Sequence, residues 1–238
     1  MQIEFFHDVT CSFCFPMSNR MRKITSKYNN IDVINRSFAL GLEPDHYIQM
    51  FGSREAVKLE VLTHWEQANQ NDDDHRFNIK GMRETDFTFP TLKNGLKAAK
   101  AAGILDGQDA YWNVFDAIQH ALFVENKNIE DFDILKTAVA TTDIDVDQWV
   151  AQYEKAETEE AVLQDLAVGQ AYGIQGAPSL VINQKYLISG AQATEDIENQ
   201  LKQIAQEEGQ PLTPKLQTLG GLGLGMACNF VDGQWICN

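Results

Sequence analysis

Two cysteines three positions apart, Cys11 and Cys14, lie where a predicted strand at residues 2–6 gives way to a predicted helix at residues 13–28. The first turn of a helix has free N–H groups and the positive end of the helix dipole, which stabilises a thiolate by roughly 0.3–2 kcal/mol. The second thiol can then attack a mixed disulfide that the first one forms. The motif predicts a redox-active dithiol with a moderately activated Cys11, and His7 is its candidate cation.

Two other interpretations of this cysteine pair stay open: half of a zinc site, or a structural or accidental pair. A zinc site needs a second cysteine or histidine pair at ligand spacing. The remaining cysteines, Cys228 and Cys237, lie far along the chain. The histidines at 64, 75 and 120 do not have the spacing of a ligand pair. We therefore expect redox chemistry that needs no metal and no cofactor.

The composition is acidic, with 238 residues, a formal net charge of −15 and a pI of about 4.6. This charge argues against nucleic-acid and anionic-membrane partners. No apolar run reaches the length of about 18 residues that suggests a membrane span, and the N-terminus lacks the features of a signal peptide. We expect a cytoplasmic protein, and in that reducing compartment a cysteine pair is more often catalytic than a permanent bridge.

The pattern of predicted elements indicates an α/β fold. A second strand pattern at residues 31–40 makes the opening a β-α-β unit. Helical periodicity then dominates up to residue 172, and Gly103 is predicted to end one of these helices. Residues 41–51 and 77–90 are predicted to be irregular. Two short strands follow, and then a last helix that Thr194 is expected to cap.

This order predicts three parts of the chain. Residues 1–52 and 160–208 would together form one α/β domain, with residues 53–159 inserted as an all-helical domain. Residues 209–238 would form a C-terminal tail that begins as a linker rich in glycine and proline.

A proline, Pro178, directly precedes the first strand of the late pair, in the loop 173–179. In a β-α-β…β-β-α frame this loop should lie opposite Cys11 and Cys14, and we expect a cis bond between Ala177 and Pro178. The backbone groups of Ala177 could then pair with an extended peptide beside Cys11 by strand addition.

These residues together resemble the DsbA-like thiol–disulfide oxidoreductases, and specifically the FrnE-type subgroup of that thioredoxin-fold family. The matching stretches are 6–14, 170–179 and 188–192, within a resemblance that covers about residues 2–205. The resemblance implies a thioredoxin-like fold with a helical insertion and a peptide groove. It also implies roles at the site: Cys11 as nucleophile, Cys14 as resolving thiol, Pro178 as the cis-proline, and Ala177, Ser12 and Phe13 as substrate-binding residues.

The activity that follows is that of a protein-disulfide oxidoreductase acting on protein or small-molecule disulfides, with an electron donor that is not identified. Family members often have Pro-Trp or Pro-His between the cysteines, whereas this chain has Ser12-Phe13. We therefore expect a weaker oxidant than DsbA, whose potential is about −120 mV. The alternatives are a peptide-binding adaptor without turnover, and an isomerase or glutathione-transferase relative. Those last proteins have serine at the first cysteine position, which argues against them here.

The tail contains a predicted hairpin around an Asp232-Gly233 turn. With that turn, Phe230 faces Trp235 and Cys228 faces Cys237 in a non-hydrogen-bonded pair, whose Cα atoms are about 4.5 Å apart. That separation is within the range that a disulfide spans. Three alternatives remain: a second redox pair that exchanges with the first, a static disulfide, or a chance or metal-binding pair.

Overall fold

The structure is a computed structural model that describes residues 1–39, 42 and 44–215, together with the backbone of residues 228–231 and 234–237. The elements up to residue 84 are β1 (Gln2–His7), α1 (Cys14–Thr25), β2 (Asp32–Ser37), α2 (Pro44–Phe51), α3 (Arg54–Asn71) and α4 (Ile79–Glu84). Those that follow are α5 (Lys93–Phe123), α6 (Phe132–Val139), α7 (Val146–Tyr153), α8 (Ala156–Ala171), β3 (Ser179–Ile182), β4 (Tyr186–Ser189), α9 (Thr194–Glu207), β5 (Cys228–Val231) and β6 (Gln234–Cys237).

Four strands form one mixed sheet in the order β2-β1-β3-β4. Strand β1 is parallel to β2 and antiparallel to β3, and β3 is antiparallel to β4. The side chains of β1 alternate between the two faces, as a strand requires. Phe5 joins the large core beneath α1, α5 and α9, whereas Phe6 packs on the opposite face with Val181 and with Val168 of α8. The predicted α/β order is confirmed, and it makes β1 an interior strand of the sheet, between β2 and β3.

Two segments that the sequence suggested were irregular are helical. Residues 41–51 contain α2, and residues 77–90 contain α4. A side-chain cap explains the second: the carboxamide oxygen of Asn78 accepts a hydrogen bond from the N–H of Gly81 at 3.0 Å. Such short helices show little periodicity, so the sequence pattern did not reveal them.

The prediction that Gly103 ends a helix was also wrong. Helix α5 continues past it to a kink at Asp106 and Gly107, where Gly107 has a φ of +82°. A Cβ atom at Gly103 would lie 3.0 Å from the Cβ of Tyr111, so the glycine allows this ring to pack closely. Thr194 is likewise the first residue of α9 rather than its cap, because Ala193 occupies the capping position without a side-chain hydrogen bond.

An aromatic cluster joins α1 to the helices of the predicted insertion. Phe15, the residue after Cys14, has its ring centroid 5.3 Å from that of Phe77 and 5.2 Å from that of Phe123. Trp65 of α3 completes the cluster, 4.9 Å from Phe123. The start of α1 thus packs against Phe123 of α5 and Phe77 of the segment before α4, and Trp65 of α3 packs behind these two rings. The three-part division of the chain stays a prediction, and its boundary at residues 159/160 falls within α8.

The start of the predicted linker packs against the domain. The N–H of Asn29 donates to the carbonyl of Thr213 at 2.8 Å, and the N–H of Lys215 donates to the carbonyl of Lys27 at 2.7 Å. A β-bridge between Tyr28 and Pro214 lies between these two bonds. Residues 211–215 are therefore a docked extended segment, because their backbone groups find partners in the loop after α1.

The register predicted for the C-terminal hairpin is confirmed. Strands β5 and β6 pair antiparallel, with Cys228 opposite Cys237 and Phe230 opposite Trp235. The predicted turn at Asp232-Gly233 lies outside the described residues.

Candidate active site

The two cysteines of the motif form a disulfide with a Cα–Cα distance of 5.2 Å. Cys11 lies in the turn between β1 and α1, and Cys14 is the first residue of α1. The N–H of Cys14 points at Cys11, 3.1 Å from its carbonyl oxygen and 3.2 Å from its sulfur. Cys14 is fully buried, whereas Cys11 is partly exposed. A reacting partner can therefore approach the sulfur of Cys11, which also has a backbone donor to stabilise its negative charge.

The loop before β3 lies against Cys11. The peptide bond between Ala177 and Pro178 is cis, and the sulfur of Cys11 is 3.6 Å from the carbonyl oxygen of Ala177. The hydroxyl of Ser179 donates to the carbonyl of Gly176 at 2.8 Å, and the N–H of Gly190 donates to the carbonyl of Pro178 at 2.9 Å. These bonds fix the loop to the sheet beside the cysteines.

A pocket of about 240 Å³ opens beside Cys11, and we call it the Cys11 pocket. Of the residues predicted to bind substrate, Ser12, Phe13 and Ala177 line it, whereas Pro178 is buried and borders a separate depression next to β4. The other lining residues come from the turn after β1, the segment after β2, and the helical region, by which we mean residues 44–171: Asp8, Thr10, Phe38, Tyr47, Phe51, Val61, His64, Phe89 and Leu92. Most of these lie far from the motif in sequence, so no spacing pattern identified them.

His7 does not act as the predicted cation. Its side chain is fully buried, and its ring stacks on Phe115 with a centroid distance of 3.8 Å. Burial holds the pKa of His7 well below its usual range, and the positive charges of Lys100 and Arg22 lower it further. The imidazole is therefore neutral, because a charge among these rings would lose its hydration without gaining a partner.

Asp8, three residues before Cys11, is a buried carboxyl group that the sequence did not single out. One of its oxygens accepts hydrogen bonds from the N–H of Thr10 at 2.6 Å and from the hydroxyl of Thr10 at 2.9 Å. Burial raises the pKa of Asp8 to about 6, and the hydrogen bonds from Thr10 oppose this rise. The carboxylate present at neutral pH is thus poorly solvated and lies in the wall of the Cys11 pocket.

Replacing Asp8 by asparagine should stabilise the fold in a pH-dependent manner. Because the pKa of Asp8 is raised in the folded state, the unfolded chain ionises first, and stability is lost as the pH rises from the ordinary value of 3.8 through about 6. Asp8→Asn keeps the acceptor for Thr10 and removes this cost. We expect the variant to exceed the wild type by about 1–3 kcal/mol at pH 8, since one pKa unit is about 1.4 kcal/mol, and by little near pH 4. Urea unfolding at both pH values measures the difference, and an equal difference at both would contradict the assignment.

Gln119 of α5 contacts the same turn from the helical side. Its amide nitrogen donates to the carbonyl of Asp8 at 3.2 Å and to the carbonyl of Cys11 at 3.4 Å, while its side chain is fully buried. The predicted insertion therefore holds the redox turn directly. A single glutamine on an apolar helix face gives no sequence signal for this contact.

The described residues contain no group of three or more histidine, cysteine or acidic side chains that could hold a metal ion. Among the described helices, we find none with the length and apolar character needed to cross a bilayer.

Comparison with solved structures shows the same fold in proteins of different described activities. A cytosolic disulfide reductase, DsbM from Pseudomonas aeruginosa with GSH, superposes with a TM-score of 0.67 at 16% identity, covering 87% of this chain and 100% of that one. A probable DsbA oxidoreductase from Streptomyces coelicolor gives 0.60 at 18% identity, covering 99% and 98%. A 2-hydroxychromene-2-carboxylate isomerase gives 0.60 at 12% identity, covering 88% and 98%.

No curated protein matches the chain. The model of the DSBA-like thioredoxin domain matches residues 2–202. This match confirms the thioredoxin-like fold with its helical insertion and the resemblance to DsbA-like oxidoreductases. By this match across most of its length, the chain belongs to the DSBA-like thioredoxin family.

Proposed function

We propose that this protein is a thiol–disulfide oxidoreductase that exchanges disulfides with protein or small-molecule substrates through Cys11 and Cys14. The observation that carries the proposal is the asymmetry of the pair. The sulfur of Cys11 is partly exposed between the Ala177 carbonyl and a pocket, whereas Cys14 is buried behind it. This arrangement suits a first thiol that meets the substrate and a second that resolves the intermediate.

In the reducing direction, the Cys11 thiolate attacks one sulfur of the substrate disulfide. The substrate S–S bond breaks, a Cys11–substrate mixed disulfide forms, and the first substrate thiolate leaves and takes up a proton. Cys14 then loses its proton and attacks the sulfur of Cys11. The mixed disulfide breaks, the second substrate thiolate leaves and takes up a proton, and two electrons have passed from the dithiol to the substrate, leaving Cys11 and Cys14 joined as a disulfide. The reverse sequence oxidises a substrate dithiol.

The substrate backbone would lie along the loop at Ala177, with Ser12 and Phe13 on the opposite side of the reacting sulfur. The Ala177 carbonyl is an acceptor beside Cys11, and the small side chain leaves room for an extended peptide. Pro178 shapes this loop from beneath. Recognition through backbone groups would be tolerant of substrate sequence.

A peptide-binding adaptor without turnover is the alternative function, and an insulin-reduction assay separates the two. The wild-type protein should accelerate the reduction of insulin by dithiothreitol well above the uncatalysed rate. An adaptor with the same groove would bind insulin chains without changing that rate. A rate equal to the background would contradict the proposed activity.

We propose that the protein is cytoplasmic, with an electron donor that is not identified. The cytosolic reductase among the similar solved structures supports the proposed location. Assignment to the FrnE-type subgroup stays a prediction.

We also propose that Cys228 and Cys237 form a second, reversible dithiol. The support is the backbone register, which places the two residues directly opposite each other at the end of the β5–β6 hairpin. The test is thiol labelling across a redox titration, read by mass spectrometry. Both pairs should change oxidation state over the titration, in exchange with each other. If Cys228 and Cys237 stay oxidised while Cys11 and Cys14 titrate, the exchange does not occur.

A further inference from the structure

The Cys11 pocket has apolar walls that are largely in place without a ligand. Tyr47 is 8% exposed, and Phe89 and Leu92 are each 2% exposed, so the packing of the helical region holds these side chains. Phe13, beside the reacting cysteine, contributes a further ring. A wall of this kind favours an aromatic or large aliphatic group over a polar one, since contact removes apolar surface from water on both sides.

The pocket also lacks positive charge. Among the described residues that line it, the ionisable side chains besides Tyr47 and Cys11 are Asp8 and His64, and no lysine or arginine takes part. Residues 40–43 and 216–238 contain no lysine or arginine in the sequence. Arg54 lies behind the wall, with its guanidinium 5.5 Å from the ring centroid of Tyr47, and it donates to the carbonyl of Phe89 at 2.9 Å.

A substrate carboxylate would therefore bind weakly in this pocket. It would lose water without a lysine or arginine to pair with, and it would approach the carboxylate of Asp8. The volume sets a second limit: about 240 Å³ is below the roughly 300–1,000 Å³ of typical small-molecule sites. The pocket therefore holds one large side chain next to the reacting sulfur, and the rest of a peptide substrate lies outside it.

We propose that the Cys11 pocket selects disulfides in which the reacting cysteine has an apolar side chain, and no carboxylate, next to it. This inference rests on the proposed function. The physiological substrate is then a cysteine in an apolar peptide segment. Glutathione disulfide, which has two carboxylates on each half and no apolar side chain, is a poor substrate.

The test measures the rate constant for oxidation of the fully reduced protein by a set of disulfides. Three are symmetric disulfides of end-blocked tripeptides in which the central cysteine lies between two phenylalanines, two alanines or two aspartates. Two more are glutathione disulfide and its tetraethyl ester, which differ only in the carboxylates. Each rate is divided by the rate of the same disulfide with dithiothreitol, which corrects for its intrinsic reactivity.

We expect the phenylalanine peptide to react at least about 10-fold faster than the aspartate peptide, with the alanine peptide between them, and the ester to exceed glutathione disulfide similarly. Equal corrected rates across the set, all above those of dithiothreitol, would overturn the selectivity and leave the proposed function intact. Corrected rates at or below one for every disulfide would overturn the proposed function and the selectivity with it.

Two charge variants on α3 test whether the selectivity against carboxylates arises in the pocket. Val61 is partly buried in the pocket wall, whereas Leu59 on the same helix is 73% exposed and does not line the pocket. Val61→Lys should raise the rate with glutathione disulfide relative to its ester by at least about 5-fold. Leu59→Lys, which changes the net charge equally, should leave that ratio unchanged. An equal rise in both variants would attribute the effect to overall charge and contradict the proposal.

Discussion

Replacing Cys11 by serine should reduce insulin reduction to the uncatalysed background. A serine hydroxyl stays protonated at neutral pH and does not attack disulfides, so the first step of the exchange is lost. We expect a loss of roughly 1,000-fold or more, since removing a catalytic nucleophile in another enzyme costs about 10⁶. The measurement is the insulin-reduction rate at equal protein concentration, with far-UV circular dichroism to show that the variant is folded.

The matched control is Cys14→Ser, which retains the exposed nucleophile and removes the resolving thiol. When it is reduced and then freed of dithiothreitol, this variant should form one mixed disulfide per molecule with insulin and then stop, so it keeps the first reaction and lacks the second. If Cys11→Ser kept a tenth or more of the wild-type rate, the reacting thiol would be another cysteine, and the assignment of Cys11 would be wrong.

Replacing Phe123 by alanine should produce the largest loss of stability among the aromatic residues around the site. Its ring is fully buried and packs against Phe15, Trp65 and Phe77, which lie on three different segments. Removing it leaves a cavity between α1 and the helical region, and Phe→Ala changes of this kind cost about 3–5 kcal/mol. Urea unfolding followed by the fluorescence of the four tryptophans, of which Trp65 lies in the cluster, measures the change in the free energy of unfolding.

Leu163→Ala is the control for this variant, because Leu163 lies on α8 and is 47% exposed. Its free energy of unfolding should change by less than about 0.5 kcal/mol, as is usual for surface positions. A loss below about 1 kcal/mol for Phe123→Ala would show that the cluster does not join the redox helix to the helical region as described.

The strands and the redox turn could be predicted because their signals are local. The run from Ile3 to Phe6 alternates between two buried faces, and the cysteine spacing follows it directly. The hairpin register of Cys228 and Cys237 also follows from one local assumption, a two-residue turn, since pairing in a hairpin is fixed once the loop length is known.

The environment of Cys11 could not be predicted, because it is assembled from distant segments. Gln119 lies 108 positions along the chain from Cys11, which is in the turn that Gln119 contacts. His7 was expected to be charged because it is close to Cys11 in sequence, whereas the rings that surround it, such as Phe115, come from α5. Burial and charge at the site therefore depend on the packing of the helical region, which the periodicity of single helices does not specify.

In the proposed reaction, Cys11 forms a covalent intermediate with a substrate sulfur, and Cys14 resolves it. The most direct test uses Cys14→Ala, reduced and then mixed with an oxidised peptide substrate, followed by acid quenching and peptide mapping by mass spectrometry. We expect a stable adduct whose disulfide joins the substrate cysteine to Cys11 in most molecules. An adduct at Cys228 or Cys237 instead, or no adduct under conditions in which the wild type is fully oxidised, would contradict it.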